Sequence, residues 1–159
     1  VGAFFPRRLM YLAKSELFRF LPLGFAIKAL GAVPANREDL QGSAGAVKFL
    51  IERLQAGENI LLFPEGQRSA DGSLQPLEQG VGLLAARTGA PVIPAYIHGT
   101  FEAMPRGSRT CKPVKIFLSF GEPLYPATLG SKEVSTKDLR RVVTDLLEAS
   151  LKELEAVYR

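Results

Sequence analysis

Asn59-Ile60-Leu61-Leu62-Phe63-Pro64-Glu65-Gly66-Gln67-Arg68-Ser69 runs from a short apolar stretch straight into a polar, glycine-containing loop. The apolar part is too short for a helix and has the length of a strand covered on both faces, a kind that belongs to parallel sheets. Upstream, Asp39 to Gln55 carries Leu40, Val47, Leu50, Ile51 and Leu54 at mostly helical spacing, and Gly57 closes that helix. Downstream, Gln79 to Thr88 reads as a helix capped by Gly89, and Pro91 to Ile97 as a second buried strand. Helix and strand thus alternate over residues 39–97, the pattern of an α/β fold. The expected architecture is a single α/β domain with a mostly parallel or mixed central sheet flanked by helices.

The pattern extends in both directions. Arg8 to Ala13 reads as a short strand, Glu16 to Leu30 as a helix broken or kinked at Pro22 and ended by Gly31, and Ala32 to Asn36 as a short extended piece. Val114 to Phe120 alternates partially and is expected nearer a sheet edge. Thr136 to Tyr158 is amphipathic, with Leu139, Val142, Val143, Leu146, Leu147, Leu151 and Leu154 on one side as ordinary core packing.

With 159 residues and 47% hydrophobic content, the chain fits one globular domain with one core. Its formal charge of +4 is unevenly spread. Residues 1–31 hold Arg7, Arg8, Lys14, Arg19 and Lys28 against Glu16 alone, while the remaining basic and acidic residues cancel. The same stretch is rich in Phe, Leu, Met and Tyr, a mixture that suits an anionic membrane surface; a core-facing strand and helix with solvated charges is the plainer reading. No apolar run approaches the roughly 20 residues of a spanning helix. This segment is therefore expected to lie on a membrane, peripherally and on its cytoplasmic face. Nucleic acid fits less well, since no recognised binding motif is present. The single cysteine, Cys111, forms no internal disulfide, and Cys111 with His98 makes no metal cluster.

The loop after Phe63 places a carboxylate, a glycine, a guanidinium and a hydroxyl at the carboxyl end of a strand, where open α/β sheets bind ligands. Gly66 lets the backbone approach a ligand, Arg68 offers forked donors for phosphate or carboxylate, and Glu65 is placed to pair with Arg68 and fix its direction. On composition alone such a loop is either a polar turn or an anion site. Arg37, following Gly31-Ala32-Val33-Pro34-Ala35-Asn36, is on its own a surface arginine and gains weight only from its company.

These blocks resemble the glycerol-phosphate and lysophosphatidate acyltransferases of the PlsC type. Phe63 to Ser69 resembles that family's Phe-Pro-Glu-Gly-Thr-Arg-Ser block, with Gln67 in the place of threonine. Gly31 to Arg37, Pro91-Val92-Ile93-Pro94-Ala95 continued by His98-Gly99-Thr100, and Phe120-Gly121-Glu122-Pro123-Leu124 resemble three further blocks, in the family's order. The resemblance implies a glycerol-3-phosphate acyltransferase-like fold. It also implies transfer of a fatty acyl group from acyl-CoA or acyl carrier protein to the free hydroxyl of lysophosphatidate, giving phosphatidate, with no cofactor and no metal. On this basis Arg37, Glu65, Gly66, Arg68 and Ser69 hold the phosphate of a lysophospholipid acceptor, and Pro94 lies on the acyl-donor side. Glu78 and Gln79 stand where relatives commonly have basic residues, so an extra phosphate contact there is not carried over and the acceptor could be another lysolipid.

The resemblance also implies a catalytic histidine followed five residues later by an aspartate, the histidine acting as general base on the acceptor hydroxyl. His98 is followed by Glu102 and Ala103 and lies after the Pro94 strand, so it does not match and reads as a structural or loop histidine. No catalytic residue is therefore assigned within the chain. The pair is expected upstream of Val1, the chain being an N-terminally truncated acyltransferase domain that is inactive by itself. The alternative is a non-catalytic, peripheral lipid-phosphate-binding domain. Gln41-Gly42-Ser43-Ala44-Gly45 lacks the first glycine and the preceding strand of a hydrolase nucleophile elbow, and no phosphate-binding P-loop follows a strand.

Overall fold

A computed structural model describes residues 9–14, 21–29, 31–35, 44–108, 110–129 and 135–158. Two compact units divide the chain, Val1–Leu62 and Phe63–Arg159.

The first unit is built on β1 (Leu9–Lys14), α1 (Leu21–Ala29), β2 (Ala32–Ala35), α2 (Ala44–Gln55) and β3 (Asn59–Leu61). The strands form a parallel sheet in the order β2-β1-β3, with Tyr11 beside Ala32 on one side and beside Leu61 on the other. α1 lies between β1 and β2 in the chain, and α2 carries it from β2 across to β3 on the other side of β1, the long connections that parallel strands require. α1 packs near β2 and α2 near β3. Leu9 and Met10, consecutive in the central strand, are both buried, which places cover on both faces of β1 there. Pro34, which has no N–H to give a ladder, falls on the outer strand β2.

Pro22 is the second described residue of α1, and the part of the expected Glu16 to Leu30 helix that precedes it lies outside the described residues. Gly31 ends the helix region at φ 94°, its N–H donating to the Lys28 carbonyl at 3.0 Å. A side chain at Gly31 would collide with the Leu9 carbonyl oxygen, so the turn returns the chain against β1 only with glycine there. In α2, Ala46 and Leu50 are buried one turn apart, with Val47, Ile51 and Leu54 half-buried beside them. β3 is half-buried along its length rather than fully buried.

The second unit contains α3 (Gly80–Thr88), β4 (Ala95–His98), the one-turn α4 (Thr100–Ala103), β5 (Phe117–Phe120), the short α5 (Pro126–Leu129) and the long α6 (Thr136–Ala156). Ser135 caps α6, its hydroxyl accepting from the Asp138 N–H at 3.1 Å and donating to the Asp138 carboxylate at 2.6 Å. Val143, Leu147 and Leu151 form the buried stripe of α6, while Val142 and Leu146 stay more than a third exposed. α3 lies against this helix so closely that a side chain on Gly82 would meet the Arg140 carbonyl and the Thr144 hydroxyl.

β4 and β5 pair antiparallel, Ala95 with Phe120 and His98 with Phe117. The ladder continues beyond both strands: Gly121 N–H donates to the Pro94 carbonyl at 3.0 Å, and Val92 and Leu124 exchange bonds of 2.9 and 2.8 Å. Two blocks that are distant in the sequence, Pro91–Ala95 and Phe120–Leu124, are thus the two sides of one ribbon. Both strands are half-exposed, in keeping with an edge position for β5 but not with a fully buried Pro91 to Ile97.

Gly82→Ala is expected to destabilise the protein by about 1–3 kcal/mol through overpacking against α6. Leu147→Ala is expected to cost about 2–5 kcal/mol through the cavity it leaves. Urea denaturation of both variants beside the parent chain checks the two values, and a Gly82→Ala variant as stable as the parent would remove the close-packing account.

Candidate functional site

After Leu62 the chain enters a loop that runs to Gln79 with little regular structure yet with most of its turns hydrogen-bonded. Gly66 N–H donates to the Phe63 carbonyl at 3.1 Å with φ 66° at Gly66, a left-handed conformation that a side chain would strain. A Cβ at Gly66 would make only ordinary contact with Glu78, so conformation rather than space requires glycine. The Glu78 N–H donates to the Pro64 carbonyl at 2.7 Å, closing the loop on itself.

Carboxylates hold the return strand of the loop. The half-buried Glu65 accepts the Gln75 N–H on Oε2 at 2.8 Å. The buried Glu155, near the end of α6, accepts the adjacent Leu74 N–H on Oε1 at 3.0 Å. Each removes a backbone donor that would otherwise go unpaired in a part-buried place. The expected ion pair between Glu65 and Arg68 does not form. Arg68 is exposed and donates from Nη2 to the Met104 carbonyl, so backbone, not Glu65, sets its direction.

Between them lies a polar knot that sequence reading missed. Asp71 Oδ1 accepts from Ser73 N–H at 3.0 Å, Ser73 Oγ at 2.6 Å, Ser69 Oγ at 3.1 Å and Gln75 Nε2 at 3.3 Å. The Ser73 hydroxyl, then the Ser73 N–H and the Ser69 hydroxyl, hold the Asp71 carboxyl below its ordinary value. Its charged form therefore supports the turn above the ordinary carboxylate range, and this support fades as pH falls through the lowered value. Ser69 also accepts the Gly72 N–H at 2.9 Å, so its hydroxyl shapes the turn. The signal was present as Ser69-x-Asp71-x-Ser73, three short polar side chains of the kind that bond to nearby backbone.

The structure thus brings Glu65, Gly66, Arg68 and Ser69 into one braced loop. Arg37 lies outside the described residues, as do Arg7, Arg8 and Arg19 of the basic stretch of residues 1–31. Pro94 is fully buried within the β4–β5 ribbon, in contact range of Gly121. His98 is a strand residue, not a loop residue. Its ring lies flat on Tyr158, centroids 4.9 Å apart at 9°, and tilted to Phe117 at 6.2 Å. Tyr158 bonds Ser119 through its hydroxyl at 2.5 Å. A cavity of about 300 Å³ opens beside this stack, with Asp71, Ser73, Tyr96, His98 and Glu155 in its wall. Among the described residues no helix is long and apolar enough to cross a membrane.

This arrangement offers an exposed guanidinium on a rigid loop, a setting fitted to hold an anion, and a histidine fitted to pack against aromatic rings. Comparison with known proteins shows the family. A chloroplastic 1-acyl-sn-glycerol-3-phosphate acyltransferase of Brassica napus is 37% identical over 98 residues, 62% of this chain but 28% of that protein. The enzyme of that name from Bacillus subtilis is 32% identical over 150 residues, covering 94% of this chain and 70% of that protein. The crystal structure of the 1-acyl-sn-glycerophosphate acyltransferase PlsC from Thermotoga maritima matches with a TM-score of 0.70 and 32% identity. That match spans 92% of this chain and 57% of that one. The sequence profile described as Acyltransferase matches residues 1–98, and with the α/β fold and the Phe63–Ser69 loop in place, the chain belongs to the acyltransferase family.

Proposed function

We propose that this chain is the acceptor-binding part of an enzyme that moves a fatty acyl group from acyl-CoA or acyl carrier protein to the free hydroxyl of lysophosphatidate, giving phosphatidate. The observation that carries the reading is the Phe63–Ser69 block, folded as a braced loop with the Arg68 guanidinium exposed. Relatives that bear the name of this activity at 32% identity over most of the chain support it. In this reading the enzyme works peripherally at the cytoplasmic face of a membrane, where acceptor and product reside.

The roles follow from charge. Arg68 has five N–H donors, and the Met104 carbonyl takes one direction of the fork, which leaves donors for a phosphate. Glu65 is a positioning residue: a carboxylate beside a phosphate dianion would repel it, and this one holds the Gln75 N–H instead. Gly66 supplies the turn between them and Ser69 the one after. Arg37 and Pro94 keep the roles the resemblance gives them, Arg37 on the phosphate and the Pro94 ribbon on the acyl-donor side.

In the reaction the acceptor oxygen attacks the thioester carbonyl carbon, the new C–O ester bond forms, and the C–S bond breaks with the thiolate as leaving group. The hydroxyl proton passes to a base. His98, stacked in an aromatic wall, is not assigned that step.

The 159-residue chain is accordingly expected to bind lysophosphatidate without transferring acyl groups, and measurable turnover would overturn the division of roles. Arg68→Ala should weaken lysophosphatidate binding about ten- to hundredfold and leave binding of the phosphate-free monoacylglycerol unchanged. Calorimetry with both lipids tests this, and equal affinity of parent and variant for lysophosphatidate would contradict the anion site. Glu65→Gln, whose amide oxygen still accepts the Gln75 N–H, is expected to retain most affinity, while Glu65→Ala loses it with the loop.

A further inference from the structure

Between Glu102 and Glu122 the chain has no acidic residue and holds Arg106, Arg109, Lys112 and Lys115. Every residue from Thr110 to Phe117 is exposed. The run includes Val114, Ile116 at 49% exposure and Phe117 at 46%, and Met104 is exposed where the segment begins. An unbroken exposed run of eight residues stands clear of the body of the unit. It is a ridge.

The ridge is braced. The Lys112 N–H donates to the Ala103 carbonyl at 2.8 Å, closing a loop whose inner turn is fixed by the Ser108 N–H on the Pro105 carbonyl at 3.0 Å. The Val114 N–H folds back to the Lys112 carbonyl at 3.0 Å around Pro113. Lys115 presents its carbonyl so near Gly99 that a side chain there would collide with it. Phe117 rests on Tyr158, centroids 5.8 Å apart, and leaves nearly half its surface to solvent.

Branched and aromatic side chains held in water between cations are unfavourable unless something covers them. The charge rules out a basic partner, and the alternation of cation and apolar residue selects among acidic ones. Lys and Arg reach phosphates at headgroup level through apolar stems, while Val114 and Ile116 find hydrocarbon just beneath, without any matching pocket being required. We propose that the Met104–Phe117 ridge docks on an anionic lipid bilayer, with Arg106, Lys112 and Lys115 on headgroup phosphates and Val114 and Ile116 in the acyl boundary. The surface is distinct from the basic stretch of residues 1–31, and its lipid binding is measured without any assay of acyl transfer.

The test is co-sedimentation of the chain with vesicles of phosphatidylcholine alone and of equal parts phosphatidylcholine and phosphatidylglycerol, at low and high salt. The parent is expected to bind the anionic vesicles, less so at high salt, and to bind the neutral ones poorly. Lys112→Glu with Lys115→Glu should lower anionic partition by at least about 25-fold, each lost cation accounting for about fivefold. Val114→Ser with Ile116→Ser should lower it about tenfold. Each drop is read again in a background with Arg7→Glu and Arg8→Glu, and should persist there. Thermal melting equal to the parent's accompanies each reading, and because all four ridge positions are exposed, lysine-to-alanine variants serve where a reversal disturbs folding. Partition unchanged by the ridge substitutions overturns the proposal. So does a parent chain that ignores anionic vesicles but binds acyl carrier protein through the same lysines.

Discussion

The second unit hangs on one face of α6. Val143, Leu147 and Leu151 bury their side chains at successive turns, and the residues that continue that line each reach a different element. Arg140 and Thr144 receive Gly82 of α3, and Ser150 lies where a side chain on Gly121 would have to go. Glu155 takes the backbone of the long loop, and Tyr158 takes Ser119 and the ring of His98. A helix repeats its face at intervals of three or four residues, and these contacts follow that interval from 140 to 158. Register is therefore fixed by the apolar stripe, and the polar contacts inherit it. Rotating α6 by one residue would misplace all of them together.

Glu155 shows why that inheritance matters for the loop. A carboxylate in a buried place is costly unless it is hydrogen-bonded, and here one oxygen accepts the Leu74 N–H while Glu65, from within the loop, accepts the next N–H along. Neighbouring backbone donors are thus held by carboxylates that come from opposite ends of the unit's sequence. The loop between them owes its form to these bonds and to the Asp71 turn, since it has no helix or strand of its own. Arg68 is left at its outer side, directed by a backbone carbonyl. A guanidinium fixed that way keeps its charge unneutralised, which an ion pair with Glu65 would not allow.

Much of this was legible from residues, and what was not has a common cause. The helices and strands were visible because their periodicity is local, and their ends because Gly31, Gly57 and Gly89 each take a positive φ that other residues avoid. The parallel sheet of β1, β2 and β3 matches the expected α/β order, but the second strand of that alternation, β4, pairs antiparallel with β5 in a sheet of its own. Bonds between distant segments were not visible. Nothing in Pro91–Ala95 announces that Phe120–Leu124 is its partner strand, although Gly121 is there because Pro94 and Ser150 leave no room for a side chain. Glu65 and Arg68 are three residues apart and opposite in charge, yet the nearer competition came from backbone groups ten and thirty-six residues away. The cationic ridge was hidden by addition, because acidic residues elsewhere on the chain balance its charge in any sum over the sequence.

Placing the positive charge on a loop and the histidine in a stack also separates two chemical tasks that one residue could not perform together. A phosphate is held best by a group that never loses its proton, and a guanidinium meets that condition at any pH at which the fold survives. A hydroxyl is activated best by a group that exchanges its proton near neutral pH and can reach the oxygen. The surroundings of His98 are those of packing: one face lies flat on Tyr158 and the ring is tilted to Phe117. The braced loop, by contrast, has one exposed cation, Arg68, close to the Gly66 turn. In the proposed reading the exposed Arg68 guanidinium takes the holding task, and the stacked ring of His98 is not assigned the activating one.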